Sequence, residues 1–193
     1  MVQKNRAVLI DRDGVLNQLM YYKEGHVGSP ISAKQLVVYF RAAESIKKIH
    51  KMGYKAIVIS NQPGVAKKQF SYAELQRMNN KIKRALAKGG AFLDGEYYCL
   101  HHPQALIRKY RVDCDCRKPK PGLILRAARE HDLDLEKSFF VGDALTDVQA
   151  GKAAGCKTVL IGQMTDMLNR MMKKNNAVPD FMIGSLIENV DIL

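Results

Sequence analysis

In "LIDRDGVLN" two aspartates, Asp11 and Asp13, directly follow an apolar run and precede Gly14. Side chains two residues apart on an extended chain lean to the same side, so the two carboxylates face one another. Carboxylates that close repel, and a divalent cation relieves the repulsion. A third acid in the same setting, Asp143 of "FFVGDALTD", can join them in a hard-oxygen site for Mg2+. Ser60 and Asn61 of "VISNQPG" follow another apolar run and add neutral hydrogen-bonding groups. Taken singly, an Asp before a Gly is ordinary turn chemistry. The recurrence of such groups after several apolar runs is what points to one shared site.

A second constellation lies in "YYCLHHPQALIRKYRVDCDCRKPKPG", residues 97–122, with three of the four cysteines and two of the five histidines. Cys99, His101, Cys114 and Cys116 offer three thiolates and one imidazole, a closed tetrahedral set for structural Zn2+. The alternative is three unrelated thiols and a surface histidine. A two-residue step within each pair lets both side chains turn to one ion, and the intervening residues form a loop that the metal closes. That loop runs directly into Arg117 and Lys118, so a metal there would fix the anchor of a basic pair. Cys156, beside Gly155, reads as a small buried residue.

The elements that must position these residues alternate. "RAVLIDRDG" and "GYKAIVISNQPG" read as buried strands that break at polar residues and glycine. Between them, "QLVVYFRAAESIKKIHKMG" predicts a helix with Ala42, Ile46 and Ile49 on one face, closing on Gly53. "SYAELQRMNNKIKRALAKGG" predicts a second, with Ser71 and Glu74 in the form of a capping box. A helix from Pro121, a strand at "SFFVGD", a helix at "TDVQAGKAAG" and a strand at "KTVLIG" follow, and "PDFMIGSLIENVDIL" fits a last short strand and helix. This order predicts an α/β fold, a mostly parallel sheet with helices on both faces. In such sheets ligands sit beyond the carboxyl ends of the strands, where the acids fall.

The 193 residues suffice for one domain with a full core, expected to span 1–193. No stretch approaches the roughly 18 uninterrupted apolar residues of a membrane span. The opening "MVQKNRAVLIDRDG" turns acidic before a signal-peptide core could form, so a cytoplasmic monomer is expected. In a reducing compartment clustered cysteines favour metal over disulfide. Lysine plus arginine total 31 against 19 acidic residues, a net charge of +12, which suits an anionic substrate or nucleic acid without choosing between them.

"DRDGVLN", "VISNQPGV", "RKPKPG" and "VGDALTDVQAGKAAG" stand in the order of the four motifs of haloacid-dehalogenase-like (HAD) phosphatases, and the resemblance covers nearly the whole chain. It is nearest to the zinc-containing branch, subfamily IIIA, which includes heptose-bisphosphate and histidinol phosphatases. The resemblance implies a Rossmann-like HAD fold with a small zinc loop at about 97–118 and no large cap domain, using Mg2+ and Zn2+. It makes Asp11 the nucleophile that forms an aspartyl-phosphate and Asp13 the general acid/base. Ser60 holds the transferring phosphoryl, Lys118 neutralises it and Arg117 recognises substrate. Asp143 ligates Mg2+ with Asp147 in support, and His101 rather than His102 ligates Zn2+.

The implied substrate is a small phosphorylated metabolite, in the first place a sugar bisphosphate such as heptose 1,7-bisphosphate. One departure bears on this: where the heptose enzymes carry an Asp followed by Gly-Tyr after the first motif, this chain reads Gln18-Leu19-Met20-Tyr21-Tyr22. Histidinol phosphate and phosphorylated nucleic-acid ends are the alternative substrates. A noncatalytic zinc-stabilised nucleic-acid-binding module is the non-enzymatic reading, and it leaves the carboxylates without a purpose.

Overall fold

The structure, a computed structural model, describes residues 4–23 and 25–186. Its centre is the strand β1 (Arg6–Ile10), where Ala7 and Leu9 point into one core and Val8 and Ile10 into another. A strand covered on both faces must be apolar throughout, so its sequence does not alternate. β1 pairs in parallel with β4 (Tyr54–Asn61) on one side and β6 (Phe139–Gly142) on the other. With β5 (Gly95–Cys99), β7 (Lys157–Ile161) and β8 (Phe181–Ile183) they form a parallel six-stranded sheet in the order β5-β4-β1-β6-β7-β8.

Helices cover both faces as expected. α1 (Ala42–Lys51) and α2 (Tyr72–Lys88) bury Ile46, Ile49, Leu75, Met78, Ile82 and Leu86 against Val8, Ile10 and Val58. On the opposite face, α3 (Gly122–His131) and α4 (Leu145–Ala154) pack Leu123, Ile124, Ala127 and Ala150 against Leu9, Ile57 and Ile59. A short helix, α5 (Asp166–Lys174), docks through Met172 on Val148 and Leu160.

Several elements differ from the sequence reading, each for a local reason. α1 begins at Ala42 rather than near Gln35, because Val37 and Tyr39 bond to Gln18 and Leu16 and hold that stretch extended. The same region carries a two-stranded antiparallel hairpin, β2 (Met20–Tyr21) and β3 (Val27–Gly28), whose strands are too short to show periodicity. β5 was not predicted; it is an edge strand whose last residue is Cys99, so the cysteine loop starts from the sheet itself. Half of the α2 capping box forms: Ser71 Oγ accepts the Glu74 N–H at 3.1 Å, while the Glu74 carboxylate turns to the Ala33 N–H and to Arg77. The last strand is β8, and the helix expected after it falls largely on residues 187–193, outside those described. Among the described residues no helix is long and apolar enough to cross a membrane.

Asp94, just before β5, ties that edge to its neighbours by accepting the Ala56 N–H at 2.8 Å and meeting His50 Nε2 at 2.9 Å. Burial raises its pKa, but the Ala56 N–H, His50 and Lys55 outweigh this and hold the carboxyl below its ordinary value. A carboxyl with a lowered folded pKa contributes stability that is present above the unfolded value of about 3.9 and is lost as pH falls through the folded one. Asp94→Asn is therefore expected to destabilise by about 1–2 kcal/mol at neutral pH. Denaturant melts of both proteins should show the gap closing as the pH drops below about 4.

Candidate active site

Each strand of the central trio ends where chemistry begins. Past β1, the Asp11 N–H still bonds to Val141 O at 2.9 Å, which fixes its main chain against β6. Its carboxylate accepts the Arg12 N–H at 2.7 Å and lies 2.9 Å from Lys118 Nζ. Past β6 comes Asp143, and the first turn of α4 supplies Asp147, whose Oδ2 accepts the Ala144 N–H at 3.0 Å and so caps its own helix. Asp11, Asp143 and Asp147 each bring a carboxylate oxygen within 4.8 Å of the others.

Two glycines make room for this convergence. Gly14 has φ +83, and a Cβ there would fall on the Asp143 carboxylate; a Cβ on Gly142 would fall on Asp147. Lys118 is buried and supplies the group's positive charge, its Nζ donating to Ile59 O at 3.1 Å and lying 2.6 Å from Asp147 Oδ1. That last contact is a close ion pair, and it is the contact this buried carboxylate oxygen makes among the described residues. Burial, with the negative charge of Asp147 and Asp13 and only Lys118 opposing, pushes Asp11 up to about 6. Burial and the charges of Asp11 and Asp147 push Asp143 to about 7. Burial alone would lower Lys118, but Asp11 and Asp147 raise it above its ordinary value. Three carboxylates whose oxygens converge out of water suit a hard divalent cation.

The Asp13 carboxylate, expected to join Asp11 and Asp143, lies outside this group, in which Asp147 is the third acid. The chain turns after Asp11, with the Leu16 and Asn17 N–H groups closing on Arg12 O, so the extended two-residue spacing no longer applies. The Asp13 carboxylate is instead gripped by Arg12 Nη2 at 2.9 and 3.0 Å, by Asn17 Nδ2 at 2.9 Å and by Gln62 Nε2 at 2.8 Å. Ser60, at the end of β4, is buried and its Oγ accepts from Gln62 Nε2 at 3.2 Å. Asn61 was read, with Ser60, as a neutral hydrogen-bonding group of the site. Its amide is engaged on both sides with the Lys118 main chain, each bond 3.1 Å long, so it clamps the lysine's backbone. Arg12, Asn17 and Gln62 were not foreseen as site residues; of these only Gln62 carried a signal, its position two residues beyond Ser60.

The cysteine loop closes as expected. Cys99 ends β5, His101 follows, and Cys114 and Cys116 return after a single 3-10 turn at Arg108–Tyr110. The sulfur atoms lie 3.1, 3.2 and 3.6 Å apart, and His101 Nδ1 is 3.3 Å from Cys116 Sγ. All the cysteines are free thiols, and these separations are far longer than a disulfide bond. A tetrahedral Zn2+ with thiolate bonds near 2.3 Å has S···S edges of about 3.8 Å, so the set fits the ion after a slight expansion. Arg117 leaves this loop half-buried, donating to His101 O at 3.2 Å. His102 accepts the Gln104 N–H, the hydrogen-bonding role expected of it, and Cys156 is buried. A cavity of about 470 Å³ is lined by Tyr22 and His26 near the hairpin and by Asn61, Gln62, Gly64 and Phe70, and it meets the site through Gln62, which bonds Asp13, and Asn61, which bonds the Lys118 main chain.

With this geometry in place, likeness to known proteins decides the family. The chain is 39% identical over 158 residues to the D-glycero-alpha-D-manno-heptose-1,7-bisphosphate 7-phosphatase of Burkholderia mallei, covering 82% of this chain and 80% of that one. It belongs to the heptose-bisphosphate phosphatase family. The corresponding 7-phosphatase of Escherichia coli K12 is 34% identical over 83% of this chain and 81% of its own length. The HAD-hydrolase-like family model matches residues 115–188. Among solved structures, the D,D-heptose 1,7-bisphosphate phosphatase of B. bronchiseptica, crystallised with magnesium and phosphate, superposes with a TM-score of 0.77 at 28% identity over 97% of both chains. A HAD-like phosphatase from Mesorhizobium loti gives 0.74 at 29% identity, over 84% of this chain and 75% of that one. Family membership makes this chain an α/β HAD phosphatase.

Gly14→Ala and Gly142→Ala should each displace a carboxylate of the group. A displacement of that kind costs on the order of 10²-fold in turnover even when the fold is kept. Steady-state assays with circular dichroism melts check both halves of the expectation.

Proposed function

We propose that the chain hydrolyses the phosphomonoester of a small sugar bisphosphate, with heptose 1,7-bisphosphate as the first candidate, through an aspartyl-phosphate on Asp11. The convergence of Asp11, Asp143 and Asp147 on the buried Lys118, with Asp13 held separately beside a cavity, is the observation that carries this reading. Asp11 attacks phosphorus in line as the ester P–O bond breaks, and Asp13 gives its proton to the departing alkoxide. Asp13 then takes a proton from the water that hydrolyses the acyl phosphate, which restores both carboxyls. Lys118 and Ser60 hold the phosphoryl oxygens, and Lys118 offsets the charge that would otherwise repel the Asp11 carboxylate. Asp11 and Asp143 would hold Mg2+, with Asp147 beside them. Bound there, the cation supplies the remaining neutralisation of the transferring group.

Cys99, His101, Cys114 and Cys116 would hold Zn2+, which supplies a covalent-like closure of the loop rather than a reaction step. The cavity supports a sugar as the non-reacting part. Its volume lies within the range of small-molecule sites, and its lining of Tyr22, His26, Asn61, Gln62 and Phe70 has neither a carboxylate nor an ammonium group. Arg117, carried by the zinc loop, stands ready for a second anionic group.

Phosphate release, measured with and without Mg2+ across heptose 1,7-bisphosphate, other sugar phosphates, histidinol phosphate, nucleotides and 3′-phosphorylated oligonucleotides, is expected to be Mg2+-dependent and fastest with the heptose. A preference for another class would replace the substrate and keep the mechanism. Asp11→Asn should fold and lose at least about 10⁴-fold in turnover; wild-type rates in that variant would remove the mechanism. Removal of zinc by a chelator, followed by metal analysis and a thermal melt, is expected to lower the melting temperature and to raise KM for the bisphosphate more than it lowers kcat. Full stability in protein shown to be free of zinc would contradict the role given to the loop.

A further inference from the structure

The largest side chain fully withdrawn from solvent among the described residues is a charged one, Arg12, placed between the two aspartates of the first motif. Its main-chain N–H caps Asp11, but its guanidinium makes no bond to Asp11, Asp143 or Asp147. All three nitrogens point elsewhere. Nε and Nη2 donate to Asp13 Oδ1 at 3.1 and 2.9 Å, Nη2 also reaches Oδ2 at 3.0 Å, and Nη1 donates to Asn79 Oδ1 at 3.0 Å. Asn79 lies on α2, and is itself almost fully buried.

A buried ion pair is a weak source of stability, since desolvation cancels much of the attraction, and an apolar pair of similar volume serves the core as well. What a guanidinium adds is direction. Its planar fork fixes the plane of the carboxylate it binds, which a lysine's point charge does not. We infer that Arg12, anchored on α2 through Asn79, is a positioning residue that sets the Asp13 carboxylate for proton transfer to the leaving oxygen. Two arginine nitrogens and Asn17 hold Oδ1. Oδ2 is held more lightly, and its partner Gln62 has a second acceptor in Ser60 Oγ at 3.2 Å. Oδ2 is thus the working oxygen, freed when Gln62 turns wholly to Ser60. The inference rests on the reading of Asp13 as the acid/base.

The leaving group separates positioning from mere structure. With a sugar phosphate, the electron pair of the breaking P–O bond goes to an alkoxide oxygen that must take the Asp13 proton. With acetyl phosphate it goes to acetate, a weak base that leaves without one. Both donors deliver the same phosphoryl to Asp11, and rapid quenching of Mg2+-loaded enzyme measures phosphoenzyme formation from each.

In Arg12→Met, formation from acetyl phosphate is expected to stay near the wild-type rate. Formation from the sugar bisphosphate should fall by about 10²-fold, the lower end of what positioned proton transfer contributes. Arg12→Lys should recover part of the loss, and Asn79→Ala, which removes only the far anchor, should show the same selectivity to a smaller degree. If Arg12→Met fails to fold by thermal melt, the other two variants carry the test. An equal fall with both donors would make Arg12 merely structural and overturn the inference, as would an unchanged rate with the bisphosphate. Wild-type enzyme that forms no phosphoenzyme from either donor would overturn the mechanism and this inference with it. Wild-type enzyme that is phosphorylated by acetyl phosphate but not by the heptose would correct the substrate alone, and the comparison is then made with whichever sugar phosphate it turns over.

Discussion

Three carboxylates held together out of water, with one lysine to balance them, set the terms for the whole molecule. Left to themselves Asp11, Asp143 and Asp147 would separate or neutralise, as the raised pKa values of Asp11 and Asp143 record. The parallel sheet is what prevents it. β1 and β6 are adjacent and buried on both faces, so their ends cannot drift, and the residues just beyond them inherit that fixity. Asp147 is held by its bond to the first turn of its own helix, and Gly14 and Gly142 leave the space that the acids occupy. A divalent cation bound among the acids would relieve that repulsion and offset the charge of an incoming phosphoryl group, which would couple metal and substrate binding in one site.

Asp13 lives under a different rule. It is wrapped in donors rather than crowded by acids, and Arg12, Asn17 and Gln62 reach it from the motif itself and from the end of β4. One short motif thus holds a carboxylate that faces charge repulsion and another that is fully solvated by protein. The two carboxyls of one motif therefore sit in different surroundings, one crowded by acids and buried, the other satisfied by hydrogen-bond donors.

Much of this could be read from the sequence, where local rules and tertiary structure agree. The buried strands are apolar runs, and Asp11, Ser60 and Asp143 stand at or just beyond their ends, so the fold class and these three residues followed from position, while Lys118 and Asp147 were named from the family resemblance. The cysteine pairs were legible because four soft ligands in one segment have few other uses. What failed did so for identifiable reasons. The two-residue spacing of Asp11 and Asp13 assumes an extended chain, and the chain turns there. β5 was hidden because its last residue, Cys99, already belongs to the ligand pattern. α5 was passed over although Leu168, Met171 and Met172 stand at helical spacing, because the helix is only nine residues long and buries little beyond Met172. Arg12 went unread in the sequence, since its partner Asn79 stands 67 residues away in the chain.

Asn61 binds the main chain of Lys118 from both sides, so the lysine's position is set by the end of β4 as well as by the loop that leads to it. The residues between His101 and Cys114 therefore do not alone determine where Lys118 lies. That stretch is free to lengthen, shorten or change composition between relatives, because longer surface loops carry only a small entropic penalty. New substrate preferences can then arise by remodelling an insert while the reaction machinery stays untouched.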